Sequence, residues 1–422
     1  MSIILYNIFL WLYRGGIHIA SLFNAKAYKW VSGRRDIIGQ LEKSITPGNP
    51  VIWMHCASLG EFEQGRPVLE ELKRKFPAYR ILLTFFSPSG FEALKNYSEA
   101  DWVYYMPLDG ARTAKRFLEI VKPSLVIFVK YEFWFYYLKK IKYRNIPLIL
   151  ISAIFREHMT FFKWYGGLQR KMLSRFDHLF LQDMSSKKLA SNIGLDHISS
   201  VSGDTRFDRV IEIAEKFSSV PGIDTFLSGH KAIVAGSTWE DDEMILASAM
   251  TALSDQPLKL IIAPHEITEK NLYRIGSLFT NSVLYSEFLA NQETKAQVLI
   301  IDNIGMLSRL YFYAYITYIG GGLSRSGIHN VLEAAVYYKP VLFGPHYQKY
   351  TEAVGLVQAG GGLPFTDTDN KGRMLYELVK GLLENNEDYK FASNAAGNFV
   401  RKSTGATRII TNFIQEKRLL TN

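Results

Sequence analysis

Three glutamates in this chain stand where a carboxylate could act on a hydroxyl group, because each follows a turn of small or polar residues. All three repeat one spacing, in which a Ser or Asn precedes the Glu by three residues: Ser58 and Glu61, Ser237 and Glu240, and Asn330 and Glu333. This spacing is typical of a capping box, which satisfies free N–H groups at the start of a helix. A carboxylate in such a turn can also serve as a general base toward a hydroxyl group. On spacing alone, both interpretations stay open for Glu61.

A second candidate site is the glycine-rich stretch YIGGGLSRSGIHNVLEAAVYYKPVLFGPH, residues 318–346. Three glycines end an apolar run, and His329 and Asn330 then open a predicted helix. Glycines allow backbone N–H groups to approach a ligand closely, and a helix N-terminus favours a phosphate. Glu333, one turn later, could accept hydrogen bonds from two ribose hydroxyls. The stretch predicts a nucleotide-sugar site, and the alternative is a flexible turn followed by a capped helix.

The elements that position these residues are short apolar runs that alternate with helical segments. The runs are VIWMHCA, YRILLTFF, SLVIFVK, IPLILISA and HLFLQD in the first half, and KAIVAGS, LKLIIAPH, QVLIID, AYITYIGG and KPVLFGP in the second. Continuous apolar runs between helices indicate parallel strands that are covered on both faces. Two such sets predict an α/β fold with two doubly wound, Rossmann-like domains, each binding ligands at the carboxyl ends of its strands. Neither a Gly-x-Gly-x-x-Gly motif nor a P-loop follows any of these runs.

Composition narrows the classes of partner. The chain of 422 residues has 49 Lys and Arg against 40 Asp and Glu, a formal net charge of +9, which favours anionic lipids or phosphorylated substrates. The basic residues are scattered and form no nucleic-acid-binding motif, so no nucleic acid is expected as a partner. The single cysteine, Cys56, excludes an internal disulfide and is expected to lie in the core. His55 beside it is interpreted as a satisfied strand-end histidine rather than a catalyst.

The N-terminal stretch MSIILYNIFLWLYRGGIHIASLF is apolar and aromatic. Arg14, Gly15, Gly16 and His18 interrupt the apolar run, and its unbroken part, 3–13, is shorter than the roughly 20 residues that span a bilayer. The segment predicts a helix that lies in the membrane face, followed by Arg34 and Arg35, which would meet anionic head groups. A core helix and a single-span anchor are the alternatives.

With these motifs in view, the chain resembles the 3-deoxy-D-manno-octulosonic acid (Kdo) transferases of lipopolysaccharide synthesis, which have the two-domain GT-B glycosyltransferase fold. The resemblance covers nearly the whole chain. Four stretches carry it: HCASLGE (55–61), VKPSLVIFVKYEFW (121–134), AGSTWEDDE (235–243) and the glycine-rich stretch 318–346. Together they are more specific than the His-Asn-x-x-Glu pattern alone.

The resemblance implies that Glu61 is the catalytic base and that Glu132 and Glu157 orient the acceptor. It implies that the CMP group of the donor is bound by a further set of residues: Arg206, Ser237, Thr238, His265, Gly321, Gly322, His329, Asn330 and Glu333. The implied donor is CMP-Kdo and the implied acceptor is a lipid A precursor (lipid IVA), with inversion of the anomeric centre. No metal and no other cofactor is expected. The expected location is the cytoplasmic face of the inner membrane.

The predicted organisation has an apolar membrane-associating segment at 1–35, an acceptor domain at 36–208 and a linker at 209–228. A donor domain at 229–400 and a C-terminal helix at 401–422, returning toward the first domain, complete it. The GT-B fold implies that the two domains face a central cleft. Two other functions are weighed. One is a GT-B-like sugar-nucleotide 2-epimerase, which should lack a membrane-seeking N-terminus, and the other is a non-catalytic sugar-nucleotide-binding membrane protein.

Overall fold

A computed structural model describes residues 3–45, 48–291, 295–324, 327–366 and 372–421. The chain divides into two compact units. One comprises Met1–Arg209 together with Thr404–Asn422, and the other comprises Val210–Ser403.

Each unit is built on one parallel sheet formed by the described residues. The strands are, in chain order, β1 (Val51–Cys56), β2 (Arg80–Phe85), β3 (Trp102–Tyr105), β4 (Pro123–Val129), β5 (Leu148–Ala153), β6 (His178–Leu181), β7 (Ser199–Val201), β8 (Lys231–Thr238), β9 (Leu258–Pro264), β10 (Ser282–Leu284), β11 (Val298–Ile300), β12 (Ile316–Ile319), β13 (Val341–Phe343) and β14 (Gly362–Pro364). The first sheet has the order β3-β2-β1-β4-β5-β6-β7, and the second has the order β10-β11-β9-β8-β12-β13-β14. Strand order reverses beside β1 and beside β8, the switch points at which doubly wound sheets bind ligands. The predicted fold class, α/β with two Rossmann-like domains of the GT-B type, is confirmed.

Helices connect the strands and cover the sheets. They are, in chain order, α1 (Ile3–Ala20), α2 (Ala25–Ser32), α3 (Ile37–Ser44), α4 (Leu59–Lys75), α5 (Pro88–Leu94), α6 (Ala111–Val121), α7 (Phe135–Tyr143), α8 (Gly167–Leu173), α9 (Met184–Asn192), α10 (Thr205–Glu215), α11 (Ile223–Leu227), α12 (Glu240–Ala252), α13 (Glu269–Leu278), α14 (Tyr285–Asn291), α15 (Leu307–Leu310), α16 (Leu332–Ala335), α17 (Thr351–Ala359), α18 (Arg373–Glu384), α19 (Asn386–Lys402) and α20 (Ala406–Glu416). The boundary between the units at Arg209 falls within α10, and α20 belongs to the first unit. The segment 209–228, expected to be loop-rich, carries the end of α10 and all of α11.

The first sheet is buried on both faces because its central strands are apolar at nearly every position. Along β1, Val51 and Trp53 pack in one hydrophobic cluster, whereas Ile52 and Met54 pack in another. Successive side chains of a strand point to opposite faces, so each cluster covers one face of the sheet. Helix α20 joins the second cluster through Ile410, which ties the C-terminus to the first unit.

Four strands were not predicted from the sequence, and all four lie at the edges of the sheets: β3, β7, β10 and β14. In β10 every residue is partly exposed, and in β3 only Tyr105 is buried. Strand β14 ends at Pro364, a residue type that is tolerated at sheet edges. An edge strand has one neighbour and lies partly in solvent, so it needs no continuous apolar run. The periodic signal therefore marked the central strands alone.

The N-terminal apolar segment forms one continuous helix. The polar residues and glycines at 14–18 interrupt the apolar run but not the helix, because α1 runs through these residues to Ala20. Within α1, Tyr6 and Leu10 are buried, whereas most of the other large apolar side chains are exposed, Trp11 by 74%. The helix is about 27 Å long and qualifies by length and composition as a candidate membrane span. A mostly exposed helix is not the core helix considered as an alternative.

The structure also corrects the role predicted for Arg34. Its guanidinium donates hydrogen bonds to the backbone oxygens of Met106 (3.0 Å) and Phe86 (2.7 Å), and it lies 3.9 Å from the centre of the Trp30 ring. Burial lowers the pKa of Arg34 to about 9. Arg34 therefore stabilises the first unit and does not face a membrane surface, whereas Arg35 is exposed.

Candidate active site

Glu61 lies in the first turn of α4, directly after the carboxyl end of β1. Its Oε2 accepts a hydrogen bond from the backbone N–H of Ala57 at 2.6 Å. The predicted capping box is wrong here, because it requires a bond to the N–H of Ser58, whose side chain also makes no capping bond. Among the described residues, no group hydrogen-bonds Oε1 of Glu61. The carboxylate is thus fixed through one oxygen and keeps the other for a ligand.

The surroundings of Glu61 raise its pKa to about 7. Burial of the carboxyl group is the largest cause, and the neighbouring carboxylate of Glu132 is the next. The Ala57 N–H and the charge of Lys130 act in the opposite direction. A carboxylate whose pKa is close to the working pH is an effective acceptor for a hydroxyl proton. The pKa of Glu61, at the carboxyl end of a central strand, thus lies in the range suited to general base catalysis.

Glu132 follows β4, the neighbour of β1, and its side chain is buried. Its Oε2 accepts hydrogen bonds from Nε2 of His55 (2.9 Å) and from the indole N–H of Trp134. Nδ1 of His55 lies 2.9 Å from Oγ1 of Thr84. His55 is thus a buried histidine with partners on both ring nitrogens, as predicted. The structure brings Glu132 close enough to Glu61 for the two charges to interact.

Glu157 and Arg206 do not lie with the residues that were predicted to share their sites. Glu157 is exposed in the loop after β5, and its charge is not among those that shift the pKa of Glu61. Arg206 lies at the start of α10, and its Nη2 donates to Oδ2 of Asp204 at 2.7 Å. Arg206 therefore belongs to the unit that holds Glu61, whereas the other predicted donor-binding residues belong to the second unit.

In the second unit, the turn from β8 to α12 contains Ser237 and Thr238. Ser237 is half-buried with a left-handed φ of 54°, and Thr238 is buried. The predicted capping pair of Ser237 and Glu240 is wrong. Helix α12 is capped instead by the carboxylate of Asp242, which accepts from the N–H of Trp239 at 2.9 Å.

Asp242 also joins this turn to the glycine loop 320–322. Its carboxylate accepts hydrogen bonds from Oη of Tyr318 (2.7 Å) and from the N–H of Gly321 (2.9 Å). The Gly321 N–H, expected to face a phosphate, is therefore bonded to a protein carboxylate. Burial raises the pKa of Asp242, and its three donors oppose that rise. Sequence reasoning missed this role because acidic residues are common at helix starts for their interaction with the helix dipole.

Close backbone packing explains the three glycines. A Cβ on Gly320 would lie 2.3 Å from the backbone oxygen of Ser237, and one on Gly322 would lie 2.7 Å from the nitrogen of Gly344. Gly321 has a φ of 89°, a conformation that L side chains rarely adopt. The loop thus holds the ends of β8, β12 and β13 against one another. This role differs from the predicted one, in which the glycines face a ligand.

Three aromatic rings stack at the ends of β8 and β9: Trp239, His265 and His329. The His265 ring centre lies 4.5 Å from each of the other two. Nε1 of Trp239 donates to Nε2 of His329 at 3.1 Å. Burial, with a contribution from His265, lowers the pKa of His329 to about 4, so this ring is neutral at pH 7 and can accept that bond. Trp239 and His265 are exposed, and no role for Trp239 was predicted from the sequence.

Asn330 and Glu333 are bonded to each other at the end of the glycine-rich stretch. Nδ2 of Asn330 donates to Oε1 of Glu333 at 3.0 Å, and Oδ1 of Asn330 accepts from the N–H of Leu332 at 3.1 Å. The predicted helix is a single turn, α16. Its dipole is therefore much weaker than the one expected to attract a phosphate.

A partly buried ion pair next to Thr238 was also missed. The hydroxyl of Thr238 donates to Oε1 of Glu243 at 2.9 Å, and Oε2 of Glu243 accepts from Arg274. No sequence motif predicts this pair, because Arg274 lies in the amphipathic helix α13 at no characteristic spacing from Glu243. Among the described residues, no group of three His, Cys, Asp or Glu side chains could hold a metal ion.

The chain is similar to known proteins of one family. Residues 32–209 match the family described as 3-Deoxy-D-manno-octulosonic-acid transferase (kdotransferase). A 3-deoxy-D-manno-octulosonic acid transferase of Aquifex aeolicus is 31% identical over 314 residues, which are 74% of this chain and 80% of the relative. The corresponding protein of Haemophilus influenzae is 27% identical over 382 residues, 86% of each chain.

Among solved structures, UDP-GlcNAc 2-epimerase from Neisseria meningitidis bound to UDP-GlcNAc superposes with a TM-score of 0.59 at 18% identity. The match covers 87% of this chain and 100% of the epimerase. At this identity the likeness concerns the fold alone, so it does not favour epimerisation over transfer.

Proposed function

Because this chain belongs to the 3-deoxy-D-manno-octulosonic acid (Kdo) transferase family and is a glycosyltransferase of lipopolysaccharide biosynthesis, we propose that it transfers Kdo from CMP-Kdo to lipid IVA, a lipid A precursor. The observation that carries the catalytic part of the proposal is Glu61. This residue lies at the switch point of the first sheet, is bonded through one oxygen, and has a pKa near 7.

The reaction replaces the bond between the anomeric carbon of Kdo and the CMP phosphate with a bond to an acceptor hydroxyl oxygen. Glu61 takes the proton of that hydroxyl as the new bond forms, and CMP leaves with the electron pair of the broken bond. Attack on the face opposite the leaving group inverts the anomeric centre. No step in this sequence needs a metal ion, because the carboxylate supplies the base and cationic or N–H groups of the protein can stabilise the leaving phosphate.

Glu132 has two tasks in this proposal. Its negative charge keeps the pKa of Glu61 high, and its carboxylate, fixed by His55 and Trp134, offers a hydrogen-bond acceptor to a second hydroxyl of the sugar acceptor. Because the buried carboxylate of Glu132 is held through Oε2 by His55 and Trp134, it can orient the acceptor with little loss of entropy. Exposed Glu157 remains a proposed acceptor contact.

The donor is assigned to the second unit. The exposed rings of Trp239 and His265 provide a flat surface on which a pyrimidine base can stack. The carboxylate of Glu333, bonded to Asn330, is assigned to the ribose hydroxyls. The remaining donor contacts in this unit are those carried over from the family: Ser237, Thr238, Gly321, Gly322 and His329. Of these, Gly321 contributes through the shape of the loop, since its N–H is bonded to Asp242. Arg206, which belongs to the first unit, remains a proposed donor contact carried over in the same way.

The exposed apolar face of α1 supports attachment to a membrane, and we assign the protein to the cytoplasmic face of the inner membrane. Trp11, Leu12 and Ile19 are exposed by 74%, 58% and 66%. Exposed Lys26 and Arg35 lie close in sequence to this helix and, with the net charge of +9, favour anionic lipid. Attachment would keep the enzyme beside a substrate that stays in the bilayer.

The test is to incubate the purified full-length protein with CMP-Kdo, with and without lipid IVA. Free CMP that forms only with acceptor, together with a Kdo-bearing lipid, is the expected result. An isomerised sugar nucleotide would instead establish an epimerase, and an unchanged donor with measurable CMP binding would establish a non-catalytic binding protein.

A further inference from the structure

The first unit contains an apolar pocket that the transfer chemistry does not use. It has a volume of about 550 Å³ and lies between α1, α2 and the turn that follows β2. This size is within the range of about 300–1,000 Å³ that small-ligand pockets occupy. We call it the α1–α2 pocket. Its walls include Tyr13, Gly16, Ala20, Lys26, Trp30 and Phe86.

Aromatic and small residues give the α1–α2 pocket its shape. The rings of Tyr13, Trp30 and Phe86 contact one another, with centre-to-centre distances of 5.7 to 6.0 Å. Gly16 and Ala20 stand one helical turn apart on α1, so they line the same side of the pocket. A Cβ added to Gly16 would meet no atom within 4 Å. A small residue at position 16 therefore keeps this space open.

The pocket is joined to the Glu61 turn through the backbone. The N–H of Phe86 donates to the oxygen of Cys56 (3.2 Å), and the N–H of Ser87 donates to the oxygen of Ala57 (2.8 Å). Ala57 is also the residue whose N–H bonds Glu61. The turn after β2 thus forms a wall of the pocket and holds the turn that carries the catalytic carboxylate.

A second connection runs through side chains. The ring of Phe86 packs 4.8 Å from that of Trp134, and the indole N–H of Trp134 donates to Glu132. One face of Phe86 therefore belongs to the surroundings of the carboxylate pair, and the same residue lines the pocket. A ligand with a hydroxyl at Glu61 and an apolar chain beside Phe86 fits this arrangement.

We propose that the α1–α2 pocket binds one fatty acyl chain of the glycolipid acceptor while the sugar hydroxyl faces Glu61. An unbranched chain matches an apolar pocket in which Lys26 offers a cation to an anionic head group. One wall is α1, whose other faces are the proposed membrane surface, so a chain can enter the pocket directly from the bilayer. This inference rests on the proposed function, because it assigns part of the acceptor of the same reaction.

The test uses two neighbouring glycines of α1 that both have open space around them, of which Gly16 lines the pocket and Gly15 does not. Gly16→Phe fills the pocket, and Gly15→Phe adds the same side chain to the same helix outside it. Each full-length variant is assayed with CMP-Kdo and two acceptors, the acylated glucosamine-disaccharide bisphosphate and the same compound without its acyl chains. Binding to vesicles of phosphatidylglycerol and phosphatidylethanolamine is measured in parallel.

We expect Gly16→Phe to lower the ratio of the kcat/KM values for acylated and deacylated acceptor by about tenfold or more, which corresponds to about two buried methylene groups. Gly15→Phe should keep the wild-type ratio, and the two variants should bind vesicles equally. Gly16→Phe could abolish transfer to both acceptors. In that case Ala20→Phe, which fills the pocket from the next turn, is assayed instead, and the same ratio of kcat/KM values should fall.

Equal ratios for the Gly16 and Gly15 variants would overturn the inference. A loss of vesicle binding by Gly16→Phe that accounts for the lower ratio would also overturn it, because the pocket would then hold a chain of the bulk lipid. Absence of transfer by the wild-type protein to either acceptor would instead overturn the proposed function itself.

Discussion

The turns β1–α4 and β8–α12 stand at the switch points of the two sheets, yet they use their carboxylates in different ways. In the first turn, Glu61 accepts one backbone hydrogen bond and lies beside a second carboxylate. In the second turn, Asp242 accepts hydrogen bonds from three donors. Burial raises the pKa of both carboxylates, but three donors hold Asp242 and oppose that rise, whereas a single backbone N–H holds Glu61. The number of donors, and not the place in the fold, separates the proposed base, Glu61, from the structural carboxylate, Asp242.

The largest effect should follow from removal of the carboxylate of Glu61, the proposed base. Gln at position 61 can still accept from the Ala57 N–H, but it cannot take a proton from a hydroxyl. We expect Glu61→Gln to lower kcat by roughly 10² or more while CMP binding stays within a few fold of wild type. Steady-state kinetics with acceptor and calorimetry with CMP measure the two quantities.

Glu63→Gln is the matched control, since Glu63 is a more exposed carboxylate of the same helix. An equal loss of donor binding in Glu61→Gln would return Glu61 to a structural role. Stability gives a second check. The folded-state pKa of Glu61, about 7, lies above the ordinary value of 4.5, so its ionisation costs stability as the pH rises through this window. Glu61→Gln should therefore be at least as stable as wild type at pH 8.

The architectural carboxylate should behave in the opposite manner. Asn at position 242 has only one acceptor oxygen, whereas three donors bond the two oxygens of Asp242. Its NH2 group would therefore face at least one donor without forming a hydrogen bond. We expect Asp242→Asn to lower the free energy of unfolding of the second unit by about 2–3 kcal/mol, measured by hydrogen exchange of the α12 amides. Exposed Asp241→Asn should change this quantity little. Similar free energies of unfolding for the two variants would contradict the structural role assigned to Asp242.

A smaller effect should come from the ring surface of the second unit. Removing an aromatic platform costs about 1–3 kcal/mol per stacked base, so Trp239→Ala should weaken CMP binding roughly tenfold. Trp239→Phe keeps a flat ring and should recover most of the affinity. Calorimetry with CMP measures both. If Trp239→Ala binds CMP as wild type does, the base lies elsewhere.

The smallest effect concerns the neighbour of Glu61. Replacing Glu132 with Gln removes a like charge while an oxygen remains to accept from His55. The pKa of Glu61 should then fall, and the acid limb of the kcat/KM profile should move to lower pH by about one unit. Rate profiles between pH 5 and pH 9 measure the shift. A profile that stays in place would show that burial alone sets the basicity of Glu61.

The sequence predicted those parts of the molecule that repeat a physical pattern. Central strands such as β1 were predicted because both of their faces are buried, whereas β10 was missed because an edge strand can be short and partly polar. Glu61 was predicted through its motif, but its partner, Ala57, depends on the path of the turn. The network around Asp242 and the space beside Gly16 arise from tertiary packing between distant segments. Such contacts leave no local spacing in the chain.

The most direct test of the account is to titrate the carboxylate of Glu61 itself. Difference infrared spectra between wild type and Glu61→Gln, recorded across pH, isolate the band of this group. We expect a midpoint near pH 7 that coincides with the acid limb of kcat/KM in the wild-type enzyme. A midpoint near 4.5, or an acid limb that persists unchanged in Glu61→Gln, would contradict the assignment of Glu61 as the general base.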